Sequence, residues 1–275
     1  MIFIVRHGYS AATNNPTLFA QMDPKEIPLT VFGYKQSQFS GQVVADSLNN
    51  IRELKPIIVY YSTHRRIQES THAFLNGFET TRNDKEEFPI VRIKGHQGIV
   101  ERDHGGFDGK SPAAQREFNP NVYELLHSGT SEQRYKTKMP PKILGGKEGE
   151  SLEDVAIRIK RFIKEEVDPF RDTHHIIIVT HGGILSTIVN NAWDEGESSW
   201  IGMGQLQVPP TGTVVLINPC DPKNGSLSYI GPTREQLGLD PQSGNEHLKD
   251  EYTIQEGDLL TTISNFSTFR EGLEA

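Results

Sequence analysis

Three short, continuous apolar runs constrain the fold of this 275-residue chain more than any other feature. They cover residues 2–5 (IFIV), 57–61 (IIVYY) and 176–179 (IIIV). Apolar runs of this length, without a helical period, are typical of strands buried on both faces. Such strands, when helices separate them along the chain, form a parallel sheet with helices on both sides. The sequence therefore predicts an α/β fold, a three-layer α/β/α sandwich around a mostly parallel central sheet.

Amphipathic patterns fill the stretches between these runs. Residues 31–48 follow Thr30, a good helix cap, and carry apolar side chains near helical spacing. A second helix is expected from Ser151, which forms a capping-box pattern with Asp154, to Pro169. We expect Ser62 or Thr63 to cap the helix after the second run. The remaining expectations are helices over 111–127 and 184–193, strands over 90–93, 205–208 and 213–217, and an irregular excursion over 128–149.

The composition changes near residue 218, beyond which the chain is polar and rich in glycine and proline. A chain of this length can form one large α/β domain or two small ones. We predict one domain over residues 1–218 and a polar C-terminal extension over 219–275, either packed on the domain or only partly ordered.

The charge and the single cysteine exclude several functional classes. A net charge of −8 argues against non-specific nucleic-acid binding, so local cations must attract any anionic substrate. Cys220 is the only cysteine, which rules out an intrachain disulfide and a cysteine-based zinc site. No apolar run is long enough to span a membrane, and no secretory signal is visible at the start. We therefore expect a cytoplasmic enzyme without nucleic-acid or membrane partners.

A histidine follows each of the three apolar runs, and arginines follow the first two. Ligands bind at the carboxyl ends of strands in open α/β sheets. An arginine there offers a fork of donors to an oxyanion, and a neutral histidine can act as nucleophile or base. We expect His174 and His175, at the opposite end of the third run, to lie on the surface. The residues at the carboxyl ends are Arg6, His7 and Gly8, then His64, Arg65 and Arg66, then His181, Gly182 and Gly183.

A glycine-rich segment, residues 98–109, supplies carboxylates that could serve as a general acid. Glu101 and Asp103 are two residues apart, so both would lie on one face of an extended segment, and either could donate a proton. With Arg6, His7, Arg66 and His181, such a carboxylate would surround a site suited to a phosphate.

The order and spacing of six short motifs resemble the histidine phosphatase superfamily, in its phosphoglycerate mutase-like branch. The resemblance covers residues 1–217. The motifs are Arg6-His7-Gly8, Leu29-Thr30 with Gly33 and Gln36, Ser62 with Arg66, Glu101-Arg102 with Gly105, Gly106 and Gly109, Gly149-Glu150-Ser151-Leu152, and His181-Gly182.

The resemblance implies a role for each matching residue. His7 would attack phosphorus and become a phosphohistidine, while Arg6, Arg66 and His181 would bind the phosphoryl oxygens. Glu101 would protonate the leaving oxygen and then activate water. Arg66 is preferred to Arg65 for its spacing from Ser62. The expected substrate-binding residues are Gly8, Ser10, Asn14, Arg102, His104 and Gly182.

The implied substrate is a small phosphomonoester, with a phosphoprotein as a second class, and neither a metal nor another cofactor is expected. Two positions depart from the family pattern. Thr13 stands where the family often has asparagine, with Asn14 next to it, and Ile67 stands where alanine usually follows the second arginine. The first departure concerns contacts with the substrate.

Three functions fit the resemblance. The first is a metal-independent phosphatase acting through a phosphohistidine, the second a cofactor-dependent phosphoglycerate mutase, and the third an inactive relative that binds a phosphorylated ligand. Mutases of the family carry paired arginines before a proline run, where this chain has only Arg134, and Gly-Asn where it has Gly182-Gly183. An inactive relative would have no chemical need for the whole catalytic set. The sequence therefore favours the phosphatase.

Overall fold

The computed structural model describes residues 1–51, 54–83, 89–191 and 211–217. Within them, a five-stranded sheet has the order β3-β2-β4-β1-β5, and every strand pair is parallel except β1 with β5. The predicted mostly parallel sheet is confirmed. Its strands are β1 (Ile2–Arg6), β2 (Ile57–Tyr61), β3 (Ile90–Gly95), β4 (His175–Thr180) and β5 (Val214–Ile217).

Helices cover both faces of the sheet, as the three-layer prediction requires. The helices are α1 (Ala11–Asn14), α2 (Leu18–Gln21), α3 (Val31–Asn49), α4 (Arg65–Thr81), α5 (Pro112–Phe118), α6 (Pro120–Ser128), α7 (Ser131–Lys136), α8 (Leu152–Phe162) and α9 (Gly182–Asn191). No helix among the described residues is both long and apolar enough to cross a membrane.

The side chains of the central strands alternate between two apolar cores. Phe3 and Val5 of β1 pack with α3 and α4 on one face, whereas Ile2 and Ile4 pack with α8 and α9 on the other. This alternation follows from the period of two along a strand. Because both faces are covered, the strands are apolar throughout, which is why their sequences show no polar alternation.

The register brings the ends of the central strands to the same level. Arg6 of β1 lies opposite Thr180 of β4, and Tyr61 of β2 lies opposite Val179. The next residues continue the pairing, since His7 N–H donates to the Thr180 carbonyl over 2.9 Å. The residues that follow β1, β2 and β4 therefore meet at one edge of the sheet.

Two predicted helix caps are confirmed and one is wrong. The Thr30 hydroxyl accepts from Gly33 N–H, and Ser151 forms a capping box with Asp154. At α4 the capping position is occupied by His64, which makes no side-chain capping bond. The Ser62 hydroxyl is instead hydrogen-bonded to His181.

Other differences from the sequence predictions have local causes. The single helix expected over 111–127 is two helices, because Asn119 caps α6 and Pro120 begins it. The excursion over 128–149 contains α7, and α8 continues as a π-helical segment, Ile163–Val167. His175 is buried rather than on the surface, since it begins a central strand and contacts the Met1 amino group.

The predicted strand over 205–208 and the extension over 219–275 lie outside the described residues. The boundary at residue 218 therefore stays a prediction.

Candidate active site

A cleft of about 600 Å³ opens where β1 and β2 end. One wall is the α1–α2 segment and the other is the segment of residues 104–115. The lining residues are Arg6, His7, Ser10, Thr13, Pro16, Thr17, Phe19, Arg66, Glu101, His104, Phe107, Asp108, Gly109, Lys110, Ser111, Pro112 and Gln115.

His7 is a neutral imidazole at the floor of this cleft. Its Nδ1 lies 2.6 Å from the Gly8 carbonyl oxygen, to which only a protonated Nδ1 can donate, so Nε2 carries the free lone pair. Burial lowers the pKa of His7 well below its usual value, and the positive charges of Arg66 and Arg6 lower it further. The residue is therefore suited to nucleophilic attack at neutral pH.

Gly8 is part of the framework behind His7. A Cβ atom at Gly8 would lie 2.0 Å from the Gly33 carbonyl oxygen, so the loop after β1 can approach α3 only without a side chain here. Gly8 N–H also donates to the Ser70 hydroxyl over 3.1 Å. These contacts hold the chain beside His7.

Arg66, His181 and Ser62 form a buried hydrogen-bonded chain. Nη2 of Arg66 lies 3.1 Å from Nδ1 of His181, and because arginine can only donate, Nδ1 accepts. Nε2–H of His181 then donates to the Ser62 hydroxyl over 2.8 Å. The other terminal nitrogen of Arg66, Nη1, donates to the Pro24 carbonyl over 2.6 Å. The chain fixes the guanidinium of Arg66 at the cleft.

His181 stays neutral in this chain. Its side chain is 0% exposed, so it lies behind the cleft rather than on its surface. Burial lowers its pKa well below the usual value, followed by the charge of Arg66 and the neighbouring His7. The rings of His7 and His64 meet it edge-on, with centroids 5.5 and 4.8 Å away.

The two arginines that border the cleft remain cationic. Burial lowers the pKa of Arg66 to about 10 and lowers that of Arg6, and in both cases the carboxylate of Glu101 opposes the shift. Arg65, the sequence alternative to Arg66, instead pairs with Glu69 over 2.8 Å and does not line the cleft.

The structure separates the two candidate carboxylates, although the sequence predicted them on one face. Glu101 lines the cleft, and its Oε2 lies 3.9 Å from Nδ1 of His181. Asp103 does not line the cleft, and its Oδ1 accepts from Gly105 N–H over 2.8 Å. The irregular backbone after Glu101 turns the second carboxylate away.

The predicted substrate-binding residues occupy different places. Ser10 and His104 line the cleft, whereas Arg102 and Gly182 do not. Arg102 donates through Nε to the Glu150 carbonyl over 2.9 Å, and Gly182 begins α9. The side chain of Asn14 lies outside the described residues.

Most of the residues in the cleft walls carry no sequence signal of a binding role. Phe19, Phe107, Lys110 and Gln115 carry no motif, and only the length of the loop after Ser10 suggested a role for that segment. Among the described residues, no group of three or more histidine, cysteine, aspartate or glutamate side chains is placed to hold a metal ion.

Comparisons with solved structures agree with this fold. A putative α-ribazole-5′-P phosphatase from Escherichia coli K-12 superposes with a TM-score of 0.55 at 18% identity, covering 84% of this chain and 95% of that one. The α-ribazole phosphatase from Shigella flexneri gives 0.54 at 19% identity, with 84% and 96% covered. YhfR from Bacillus stearothermophilus gives 0.54 at 17% identity, with 84% and 95% covered.

No curated protein matches this chain. The family model described as histidine phosphatase superfamily (branch 1) matches residues 2–221, which is most of the sequence. The match includes every strand of the sheet and all the residues that meet at its edge. The chain therefore belongs to branch 1 of the histidine phosphatase superfamily, as its sequence motifs indicated.

Proposed function

We propose that this protein is a metal-independent phosphatase that hydrolyses a small phosphomonoester through a phosphohistidine at His7. The observation that carries the proposal is a neutral, buried His7 between the cations Arg6 and Arg66, with Glu101 on the same cleft. A nucleophile, anion-binding groups and a proton donor at one point are the parts that phosphoryl transfer requires.

In the first step, Nε2 of His7 attacks phosphorus and the bond between phosphorus and the leaving oxygen breaks. Glu101, in its protonated form, gives its proton to that oxygen, so the alcohol leaves neutral. Arg6 and Arg66 bind the non-bridging oxygens and balance their charge. Preorganised donors of this kind usually supply the largest part of the rate enhancement.

In the second step, the carboxylate of Glu101 takes a proton from water, and the water oxygen bonds to phosphorus as the bond to Nε2 breaks. The electron pair returns to His7, and inorganic phosphate leaves. His181 acts on both steps through Arg66, whose guanidinium it holds with the help of Ser62.

The cleft favours hydrolysis over a mutase reaction. A phosphoglycerate mutase must also bind the carboxylate of its substrate, and paired guanidiniums are suited to this. In the part of the chain that the structure describes, the lining arginines are Arg6 and Arg66, and Arg134 does not border the cleft. Lys110 is the further cation on the wall. A volume of about 600 Å³ suits a small-molecule ester.

The test is a turnover screen of phosphorylated metabolites in EDTA, with and without 3-phosphoglycerate as acceptor. We expect phosphate release that neither the chelator nor the acceptor changes. The enzyme, quenched during turnover, should carry an acid-labile phosphate that His7→Gln abolishes. Phosphate transfer to 3-phosphoglycerate without release would favour the mutase, and loss of activity in EDTA would contradict the proposed mechanism.

A further inference from the structure

Glu101 lies in a segment without regular secondary structure. Residues 101–104 form neither a helix nor a strand, so no ladder of backbone hydrogen bonds fixes them. The carboxylate itself accepts from Arg102 N–H over 3.1 Å. A long side chain with so few restraints takes its position mainly from its backbone, which must be held by other groups.

Arg158 of α8 supplies donors to this backbone. Its Nη1 donates to the Gly98 carbonyl over 2.8 Å. Its Nη2 donates to the carbonyls of Val100, over 2.6 Å, and Glu101, over 3.3 Å. One rigid planar group thus contacts the carbonyls of two residues before Glu101 and the carbonyl of Glu101 itself, which a lysine ammonium cannot reproduce in the same geometry.

Glu150 holds both Arg158 and the other side of the segment. Its Oε1 accepts from Nε of Arg158 over 2.7 Å, and its Oε2 accepts from Nη2 over 3.1 Å. Oε2 also accepts from Asp103 N–H over 3.0 Å. The bidentate pair therefore holds the backbone on both sides of the Glu101 side chain, with Arg158 bonded to carbonyls of residues 98–101 and Glu150 bonded to the amide of Asp103.

The pair acts on Glu101 through the backbone and, among the described residues, makes no hydrogen bond to the side chains of the other proposed catalytic groups. Neither Arg158 nor Glu150 lines the cleft, and their side chains are only 19% and 25% exposed. Their hydrogen bonds converge on residues 98–103, which carry Glu101. They do not reach His7 or Arg66.

We propose that Arg158 and Glu150 are positioning residues for Glu101, which set the distance between its carboxylate and the leaving oxygen. This inference rests on the proposed function, because it assigns Glu101 the proton transfers. A displacement of about 1 Å can cost about 100-fold in rate, so loosening this backbone should slow the steps that use Glu101 and spare the others.

The test uses Arg158→Lys, which keeps the positive charge but replaces the planar guanidinium and its several N–H donors with an ammonium group. We expect turnover of an alkyl phosphate to fall about 10- to 100-fold, because its leaving oxygen needs the proton. The pre-steady-state burst of p-nitrophenolate from p-nitrophenyl phosphate should keep its rate within about 3-fold, because that leaving group departs unprotonated. Glu150→Gln should show the same split, that is, a fall in alkyl phosphate turnover with a preserved burst rate.

Arg161→Lys is the matched control. Arg161 lies on the same helix with a 76% exposed side chain paired with Glu165, so its replacement should change neither rate. The amplitude of the p-nitrophenolate burst measures the amount of active enzyme, and alkyl phosphate turnover is expressed per active enzyme, so a destabilised variant still gives a decisive result.

Two results would overturn the inference. Equal loss of both rates in Arg158→Lys and Glu150→Gln would show a general structural role, and loss of neither would show no role. Glu101→Gln, measured in parallel, separates this failure from that of the proposed function. If Glu101→Gln shows the split and the other two variants do not, only the positioning role fails; if Glu101→Gln does not show it, the assignment of Glu101 fails as well.

Discussion

A Cβ atom on Gly183 would lie 2.9 Å from Oε1 of Glu101, so the carboxylate occupies space that any side chain at residue 183 would restrict. Gly183 is the second residue of α9, directly after the His181-Gly182 motif at the end of β4. The start of this helix therefore shapes the position of the proposed general acid. The contact also gives a geometric reason for the second glycine of Gly182-Gly183, where mutases of the family have asparagine.

Gly183→Ala should lower activity without lowering the free energy of unfolding. Alanine favours a helix over glycine by about 0.5–1 kcal/mol, and the atom in its way is the mobile tip of Glu101, so the free energy of unfolding should be unchanged or slightly raised. Turnover of alkyl phosphates should fall by about 10-fold or more, because the carboxylate must move. Urea unfolding and steady-state kinetics on the same preparation measure both. Unchanged turnover would show that the contact is unimportant for catalysis.

The two carboxylates near Gly105 should differ in their effect on leaving groups. Glu101→Gln should slow alkyl phosphate turnover about 100- to 10,000-fold and affect the burst phase of p-nitrophenyl phosphate much less. Phosphohistidine should accumulate, because the same residue activates water. Asp103→Asn is the control, since Asp103 bonds to Gly105 N–H and does not line the cleft. The assignment is wrong if only Asp103→Asn shows this dependence on the leaving group.

The paired variants Arg66→Lys and Arg65→Lys test which arginine binds the phosphoryl group. Arg66 donates to His181 and Pro24 and borders the cleft, so lysine there should reduce kcat/KM about 100- to 1,000-fold. Arg65 pairs with Glu69 and does not line the cleft, so its replacement should leave kcat/KM within about 2-fold and cost at most about 1 kcal/mol of stability. Equal effects would refute the assignment.

His64 should make stability depend on pH. Burial lowers its pKa to about 4, helped by the charges of Arg66 and Lys25. The unfolded chain takes up a proton near pH 6.5 and the folded chain does not, so this residue's share of stability is present above pH 6.5 and is lost as the pH falls toward 4.

The measurement is urea unfolding of the wild-type protein and His64→Leu at pH 7 and pH 5. Leucine cannot bind a proton, so the variant should lose about 2 kcal/mol less than the wild type over this range. His7 and His181 are present in both proteins, and burial, the main cause that lowers their pKa values, acts in both; the charge of His64 lowers these two pKa values only as a smaller cause. Equal losses in the two proteins would show that His64 is protonated as readily when folded as when unfolded.

The sequence predicted those features that depend on residues close together in the chain. The apolar run before Arg6 is a strand because its side chains fill both cores, and Thr30 and Ser151 cap helices because their partners are three residues away. The ends of parallel strands meet at one edge, which explains why His7, Arg66 and His181 lie together as expected from their places after β1, β2 and β4. The family followed from the spacing of the same short motifs.

Only the tertiary structure decided how these residues are used. Ser62 looked like a helix cap, but the strand register brings it to His181, 119 residues away, where the imidazole is a better-placed partner. Arg158 belongs to an ordinary amphipathic helix by its pattern, yet it bonds to backbone about 60 residues earlier. Periodicity and capping act within one or two turns, whereas these bonds depend on how distant segments pack. The sequence alone therefore determined the fold and which residues meet at the end of β1, β2 and β4, and the packing of α8 and α9 decided where Glu101 is held.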